Sequence, residues 1–335
     1  MAPDREPICT TFTDLLESGR PLVADGAMGT TLFSLGLQGG GCPELLNIEQ
    51  PDLVEKVHRG FIDAGADIIL TNTFGGNRRR LALHHLEGRV AELNAAAVEI
   101  ARRAADQAGR PVAVAGSVGP TGDIFEPLGQ LSHAEGVEVF AEQCQALADA
   151  GADVIWIETI SAYEELNAAV EGALTTKLPI TTTLSFDTAG HTMMGISATD
   201  FGRWWLEHPQ VTALGANCGI GPGDAVAASF DLTALAPAAV TITKANCGIP
   251  LYQTEGLTYP IGPDRMGDYV ELALRSGTRI IGACCGSTPD HIAAIREAVN
   301  AYQPAPRPER DEIEHRLEAY HREPAGARRS NRRRS

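Results

Sequence analysis

A chain of 335 residues with 44% hydrophobic content can bury one large core. No apolar run approaches the roughly 20 residues of a membrane-spanning helix. The opening MAPDREPICTTFTDLLE lacks the basic-then-apolar pattern of a secretory signal, so the expectation is a soluble, cytoplasmic protein without a membrane partner. A formal charge of −16 argues against nucleic acid as a partner for the body of the chain. The end is the exception: REPAGARRSNRRRS sets six Arg against one Glu, and 323–335 reads as a disordered basic tail.

Eight short apolar runs follow one another in chain order. They are PLVADG (21–26), ADIILTNTF (66–74), PVAVAGSVGP (111–120), ADVIWIET (152–159), PITTTLSFD (179–187), VTALGANCG (211–219), AVTITKANCG (239–248) and TRIIGACCG (278–286). Helical patterns separate most of them, over 92–108 and 134–150 for example. In the second of these Val137, Phe140, Cys144 and Leu147 share a face, which makes Cys144 a core residue. DAGADIILTNTF and DAGADVIWIET are nearly the same phrase, and RSGTRIIGACCG is a third version of it: a helix end, a glycine suited to the left-handed cap, then a buried strand. Buried strands alternating with helices predict a parallel sheet, and eight such units over residues 1–303 predict a (β/α)8 TIM barrel. A doubly wound open sheet is the runner-up, weakened because no G-x-G-x-x-G follows the first strand. Residues 304–322 read as a Pro-rich linker and a short C-terminal helical extension.

In such barrels the chemistry lies where the strands end. Polar residues close nearly every run: Asp25 and Gly26, Asn72 to Phe74, Ser117, Glu158 and Thr159, Ser185 and Asp187, Asn217 and Cys218, Asn246 and Cys247, Cys284 and Cys285. One alone is an ordinary strand cap; together they outline a site. The seven cysteines (Cys9, Cys42, Cys144, Cys218, Cys247, Cys284, Cys285) are odd in number, which suits metal or catalytic use better than a disulfide framework. For the adjacent pair Cys284–Cys285, a strained vicinal disulfide and chance are the competing readings; metal ligation is the favoured one. A pleated strand turns neighbours to opposite faces, so Gly282 and Gly286 are expected to bend the chain and bring both sulfurs to one point. A third thiolate would leave zinc a fourth position for substrate. ANCG occurs twice, at 216–219 and 245–248, so the local sequence leaves Cys218 and Cys247 both open as the third ligand. His84, His85, His191 and His291 have no matching spacing and read as solvated or core.

The combination DGAMGT (25–30), TNTFGGN (71–77), GSVGPTG (116–122), IET (157–159), GANCG (215–219) and GACCG (282–286) resembles the homocysteine S-methyltransferase family over about residues 12–300. That family includes betaine–homocysteine methyltransferases and the homocysteine module of cobalamin-dependent methionine synthase. The resemblance implies a zinc ion (Zn2+) held by Cys218, Cys284 and Cys285, with Cys247 a bystander in an NCGIP run that departs from the family's small residue. It implies that Asp25 and Glu158 hold the ammonium end of homocysteine, and Glu158 joins the three cysteines as the catalytic set. Backbone N–H groups at Gly26 and Ala27 suit the substrate carboxylate, and Asn217 is placed with the substrate-binding residues.

The implied reaction is attack of the homocysteine thiolate on an activated methyl group, giving methionine. Betaine or a similar onium donor ranks first, and an aromatic cage would hold it. Phe74 is the cage residue in hand; Trp156, Phe125, Tyr163, Trp204 and Trp205 are substitutes for the tyrosines missing at Gly75 and Thr159. A split methionine synthase with a separate corrinoid protein ranks second, since no cobalamin or folate module follows residue 335. A sulfonium donor such as S-methylmethionine ranks third. Outside the methyl-transfer class stands a zinc-storage or redox-sensing barrel. A homo-oligomer is compatible with the acidic barrel and its extra helix.

Overall fold

The computed structural model describes residues 10–253 and 256–318. The expected basic tail and the last four residues of the helical extension lie outside them. Eight parallel strands form the sheet: β1 (Leu22–Val23), β2 (Ile68–Leu70), β3 (Ala113–Val118), β4 (Val154–Ile160), β5 (Ile180–Leu184), β6 (Ala213–Cys218), β7 (Val240–Ala245) and β10 (Ile280–Ala283). A hairpin, β8 (Leu251–Gln253) and β9 (Gly256–Thr258), is inserted after β7; the apolar-run reading did not anticipate it. The order β1-β10-β7-β6-β5-β4-β3-β2 closes through a parallel bridge from Ala24 to Ile68, so the sheet is a (β/α)8 TIM barrel.

The strands alternate as a closed sheet requires. Val23, Ile69, Ile155 and Leu214 face the helices. Leu22, Ile68, Val154, Trp156, Ala213 and Ile242 fill the interior, joined by Phe12 and Leu15 of the helix Thr11–Glu17. The expected helices are present at Val90–Asp106 and His133–Asp149, and Phe140, Cys144 and Leu147 of the second are fully buried.

After the barrel, the helix Arg310–Glu318 buries Ile313 and Leu317. Arg316 and Arg275 tie it to the helix Met266–Arg275 through Glu271, Asp268 and Glu312. Among the described residues no helix is long and apolar enough to cross a membrane.

Candidate active site at the C-terminal ends of the strands

Three sulfurs meet at the mouth of the barrel. Those of Cys218, Cys284 and Cys285 lie within 4.8 Å of one another, the only such group of metal-ligating side chains among the described residues. Strict alternation would turn Cys218 toward the helices, because Ala213 faces the interior and Leu214 does not. Instead Cys218 has a left-handed φ of +55°, which re-aims its side chain and brings its sulfur 2.9 Å from that of Cys284. A non-glycine residue in that region is strained by on the order of 1–3 kcal/mol and persists only where its surroundings impose it. β10 ends at Ala283, so the pleat no longer separates the two cysteines that follow. Gly286 is the turning point, not Gly282: its φ is +84°, and a Cβ there would sit 2.1 Å from the Tyr259 ring.

Asn246 fastens the two sulfur-bearing turns together. Its Oδ1 accepts from the Cys285 N–H at 2.9 Å and its Nδ2 donates to the Gly219 carbonyl at 2.7 Å. Cys247 is 1% exposed, packs in the core and stands apart from the three sulfurs. Hydrogen bonds from Cys218 and then Cys284 hold the Cys285 thiol well below the usual range. Cys218 is pushed up by the same contacts and by burial.

Beside the sulfurs lies a cavity of about 310 Å³ with a polar floor. Glu158 follows the inward-facing series Val154, Trp156, Glu158 on β4 and lines the cavity. It accepts from the Ser117 hydroxyl at 2.6 Å, and burial, partly offset by Lys244, pushes its carboxyl up to about 7. Next to it Thr159 has φ +64°, a second strained position. Asn217 pins it there, accepting from the Thr159 N–H at 2.9 Å and donating to its hydroxyl at 2.7 Å. Asn217 also accepts from Thr183, and it does not line the cavity. Asn217 thus ties the end of β4 to β5 and to the residue before Cys218.

Asp25 is not among the residues that line the cavity. Its Oδ1 pairs with Lys244 Nζ at 2.7 Å and its Oδ2 accepts the Leu70 N–H at 2.7 Å, so both oxygens are engaged. It is Lys244 that reaches the cavity surface. Burial opposes the charge on Lys244, but Asp25 and Glu158 outweigh it and hold the amine above its ordinary value. Sequence reasoning missed this lysine; the available signal was one cation inside the apolar run AVTITKANCG. Gly26 and Ala27 do line the cavity, but the Ala27 N–H already donates to Ser287 Oγ at 3.0 Å.

Phe74 and, unanticipated, Phe33 line the outer wall with Pro43 and Glu44. Glu44 is buried and accepts from the Gly75 N–H at 2.6 Å. The other aromatic candidates pack elsewhere. Trp156 is buried beneath Lys244. Trp204 stacks on Phe201 and His208, and Trp205 donates to the Val211 carbonyl. Phe125 and Tyr163 pack with the core.

The homocysteine S-methyltransferase family profile matches residues 22–299. Methionine synthase of Mycobacterium tuberculosis (strain ATCC 25618 / H37Rv) is 35% identical over 318 residues, which cover 89% of this chain and 26% of that protein. Methionine synthase of Mycobacterium leprae is 33% identical over 307 residues, covering 86% and 25%. The chain thus spans about a quarter of the length of these curated relatives. The metallated form of the homocysteine methyltransferase MmuM from Escherichia coli superimposes with a TM-score of 0.69 at 29% identity, over 86% of this chain and 99% of that one.

Proposed function

The chain belongs to the homocysteine S-methyltransferase family, and from that premise we propose that it methylates the thiolate of homocysteine to give methionine, using a zinc ion held by Cys218, Cys284 and Cys285 and a small onium donor such as betaine. The observation that carries this reading is the meeting of three sulfurs from two strands beside a cavity with a charged floor. Three sulfurs suit a soft, tetrahedral ion with one place open, and such an ion keeps a bound thiol deprotonated near neutral pH.

The chain's own residues do the rest. Glu158 holds the substrate ammonium, with Ser117 fixing its carboxylate. Phe33 and Phe74 give the cavity wall the aromatic character that suits a cation, and the buried Glu44 adds a carboxyl group to the same wall. Just beyond, an adjoining cavity shares these residues and adds Arg80, a cation suited to a donor's carboxylate. In the transfer a sulfur–carbon bond forms as the nitrogen–carbon bond breaks, and the tertiary amine leaves with the electron pair. Anion and cation neutralise each other, so a largely apolar cavity favours the step.

A second reading has its own support. The mycobacterial relatives are methionine synthases, and the loops after the strands expose Ile124, Leu128, Met193, Ile249, Leu251 and Leu257. That apolar rim suits a corrinoid protein as methyl donor. Methionine formation by the zinc-loaded protein, with one donor at a time, separates the readings: betaine, a dimethylsulfonio compound, S-methylmethionine, methylcobalamin and methyltetrahydrofolate. Turnover with betaine supports the onium reading, and activity with methylcobalamin alone supports the corrinoid one. Zinc binding with no stabilisation by homocysteine and no turnover would return the chain to the metal-storage class.

A further inference from the structure

We propose that Gln143, on the outer helix His133–Asp149, is a positioning residue for Phe74 and so sets the affinity for the methyl donor without touching it. This rests on the functional reading above, which lays the donor against the wall that carries Phe74. It goes beyond that reading in naming what holds the wall in place.

The helix turns an apolar face to the sheet, with Phe140, Cys144 and Leu147 fully buried. Gln143 is buried to the same degree. Its Nε2 donates to the Thr73 carbonyl at 2.8 Å and also meets Asn94 Oδ1 at 3.2 Å and the Ser117 carbonyl at 3.3 Å. Its Oε1 has no hydrogen-bond partner among the described residues. An unmet oxygen in the core costs stability. Neither backbone carbonyl depends on the amide. The Gly76 N–H also donates to the Thr73 carbonyl at 2.9 Å, and the Thr73 hydroxyl to the Ser117 carbonyl at 2.7 Å. An apolar side chain of similar length would serve the fold as well, so stability is not what keeps the amide there.

What the amide does is join two segments that meet at Phe74. Thr73 is the residue before it. On the other side the Phe74 carbonyl accepts the Gly119 N–H at 3.0 Å. A Cβ on Gly119 would sit 2.7 Å from the Phe74 ring, so the ring lies on that backbone, two residues past Ser117. Gln143 thus ties the chain that leads into Phe74 to the strand that leads to the surface under its ring. Asn94, buried on the helix Val90–Asp106, extends the grip: its Nδ2 donates to the Gly76 carbonyl at 2.9 Å. A Cβ on Gly76 would lie 2.7 Å from Asn94 Oδ1 and 2.9 Å from Gln143 Nε2, so the loop rests directly on the two amides. Phe74 is itself 39% exposed at the cavity, and its place in the wall is set from behind.

The test reads the betaine KM and the homocysteine KM of the zinc-loaded protein. Phe74→Ala should raise the betaine KM by about 10-fold and leave the homocysteine KM within about 3-fold. Gln143→Met should raise the betaine KM by about 5-fold, again with the homocysteine KM within about 3-fold. Its Tm should fall by no more than about 3 °C, since an unmet buried oxygen goes with the amide. The double variant should have the betaine KM of Phe74→Ala alone, because a residue that acts through Phe74 has nothing to position once the ring is gone. Asn94→Leu, which frees the other end of the loop, should show the same pattern and serves if Gln143→Met does not fold. The proposal falls if Gln143→Met leaves the betaine KM unchanged, raises both KM values equally, or multiplies the effect of Phe74→Ala. If the wild type does not turn betaine over, or Phe74→Ala leaves its KM unchanged, the functional reading of the wall has failed and this assignment with it. If Phe74→Ala raises the betaine KM while the Gln143 and Asn94 variants do not, the assignment alone has.

Discussion

The Asn246 side chain is hydrogen-bonded to the backbone N–H of Cys285 at 2.9 Å, and its other end holds Gly219, the residue after Cys218. One amide thus sets the distance between the two turns that carry the sulfurs. Partners that orient metal ligands without touching the metal commonly contribute 10–100-fold to affinity. Asn246→Ala should therefore weaken zinc binding by about that factor, read by competition with a chromophoric chelator. The protein should still fold, because the barrel strands keep their pairing. Unchanged zinc affinity would show that the sulfurs hold their positions without this bridge.

The two ANCG copies separate cleanly by mutation. Cys218→Ala, like Cys285→Ala, should abolish tight zinc binding and methyl transfer, since two sulfurs cannot complete the set. Cys247→Ala should retain one zinc per chain and most activity. Its cost is the loss of a buried sulfur, about 1 kcal/mol by the behaviour of small core truncations, seen as a modest fall in Tm. Zinc loss in the Cys247 variant with retention in the Cys218 variant would reverse the assignment.

Glu158 sets a pH dependence that product binding can isolate. Its carboxyl titrates at about 7, pushed up by burial. Only the ionised form attracts the ligand's ammonium, and methionine itself does not titrate between pH 6 and 8. Its affinity should thus rise about 10-fold over that interval, following the ionised fraction, and Glu158→Gln should bind weakly with a flat profile. The stability sign is opposite. A raised carboxyl binds more protons folded than unfolded, so without ligand its contribution is full below its unfolded value and falls as pH rises toward 7. A flat wild-type profile for methionine would remove Glu158 from the ammonium site.

Much of the barrel was readable because each strand is a short apolar run bounded by turn residues, a pattern that survives any tertiary context. The thiol pair was readable because adjacent cysteines are rare at a strand end. What local sequence concealed was how side chains pair across the barrel. Nothing near Asn217 in sequence announces that its amide binds Thr159 and Thr183. Nothing near Asp25 in sequence announces its pairing with Lys244, 219 residues away. Phe33 gave no sign, since an aromatic in a helix usually reads as core and this one is exposed at the cavity rim. Trp204 shows the converse: an aromatic suited to a cage that stacks on His208 instead.

His58 offers a test away from the site. It lies on the helix Pro51–Asp63, fully buried, and neither ring nitrogen has a hydrogen-bond partner among the described residues. Burial pulls the imidazole down to about 4. A histidine held below its unfolded value contributes stability that is present above pH 6.5 and is lost as pH falls from 6.5 toward 4. The size of that loss is about 3 kcal/mol, taking 1.4 kcal/mol per unit. His58→Leu removes both the unmet nitrogens and the titration. At pH 7 the variant should be as stable as the wild type or more so, because an unsatisfied buried polar group costs roughly 1–3 kcal/mol. Between pH 6.5 and 4 it should lose less stability than the wild type, while the contribution of Glu158 is common to both and cancels in the comparison. Denaturant midpoints at three pH values measure this directly, and parallel acid profiles would mean that protonation of His58 is not what destabilises the fold.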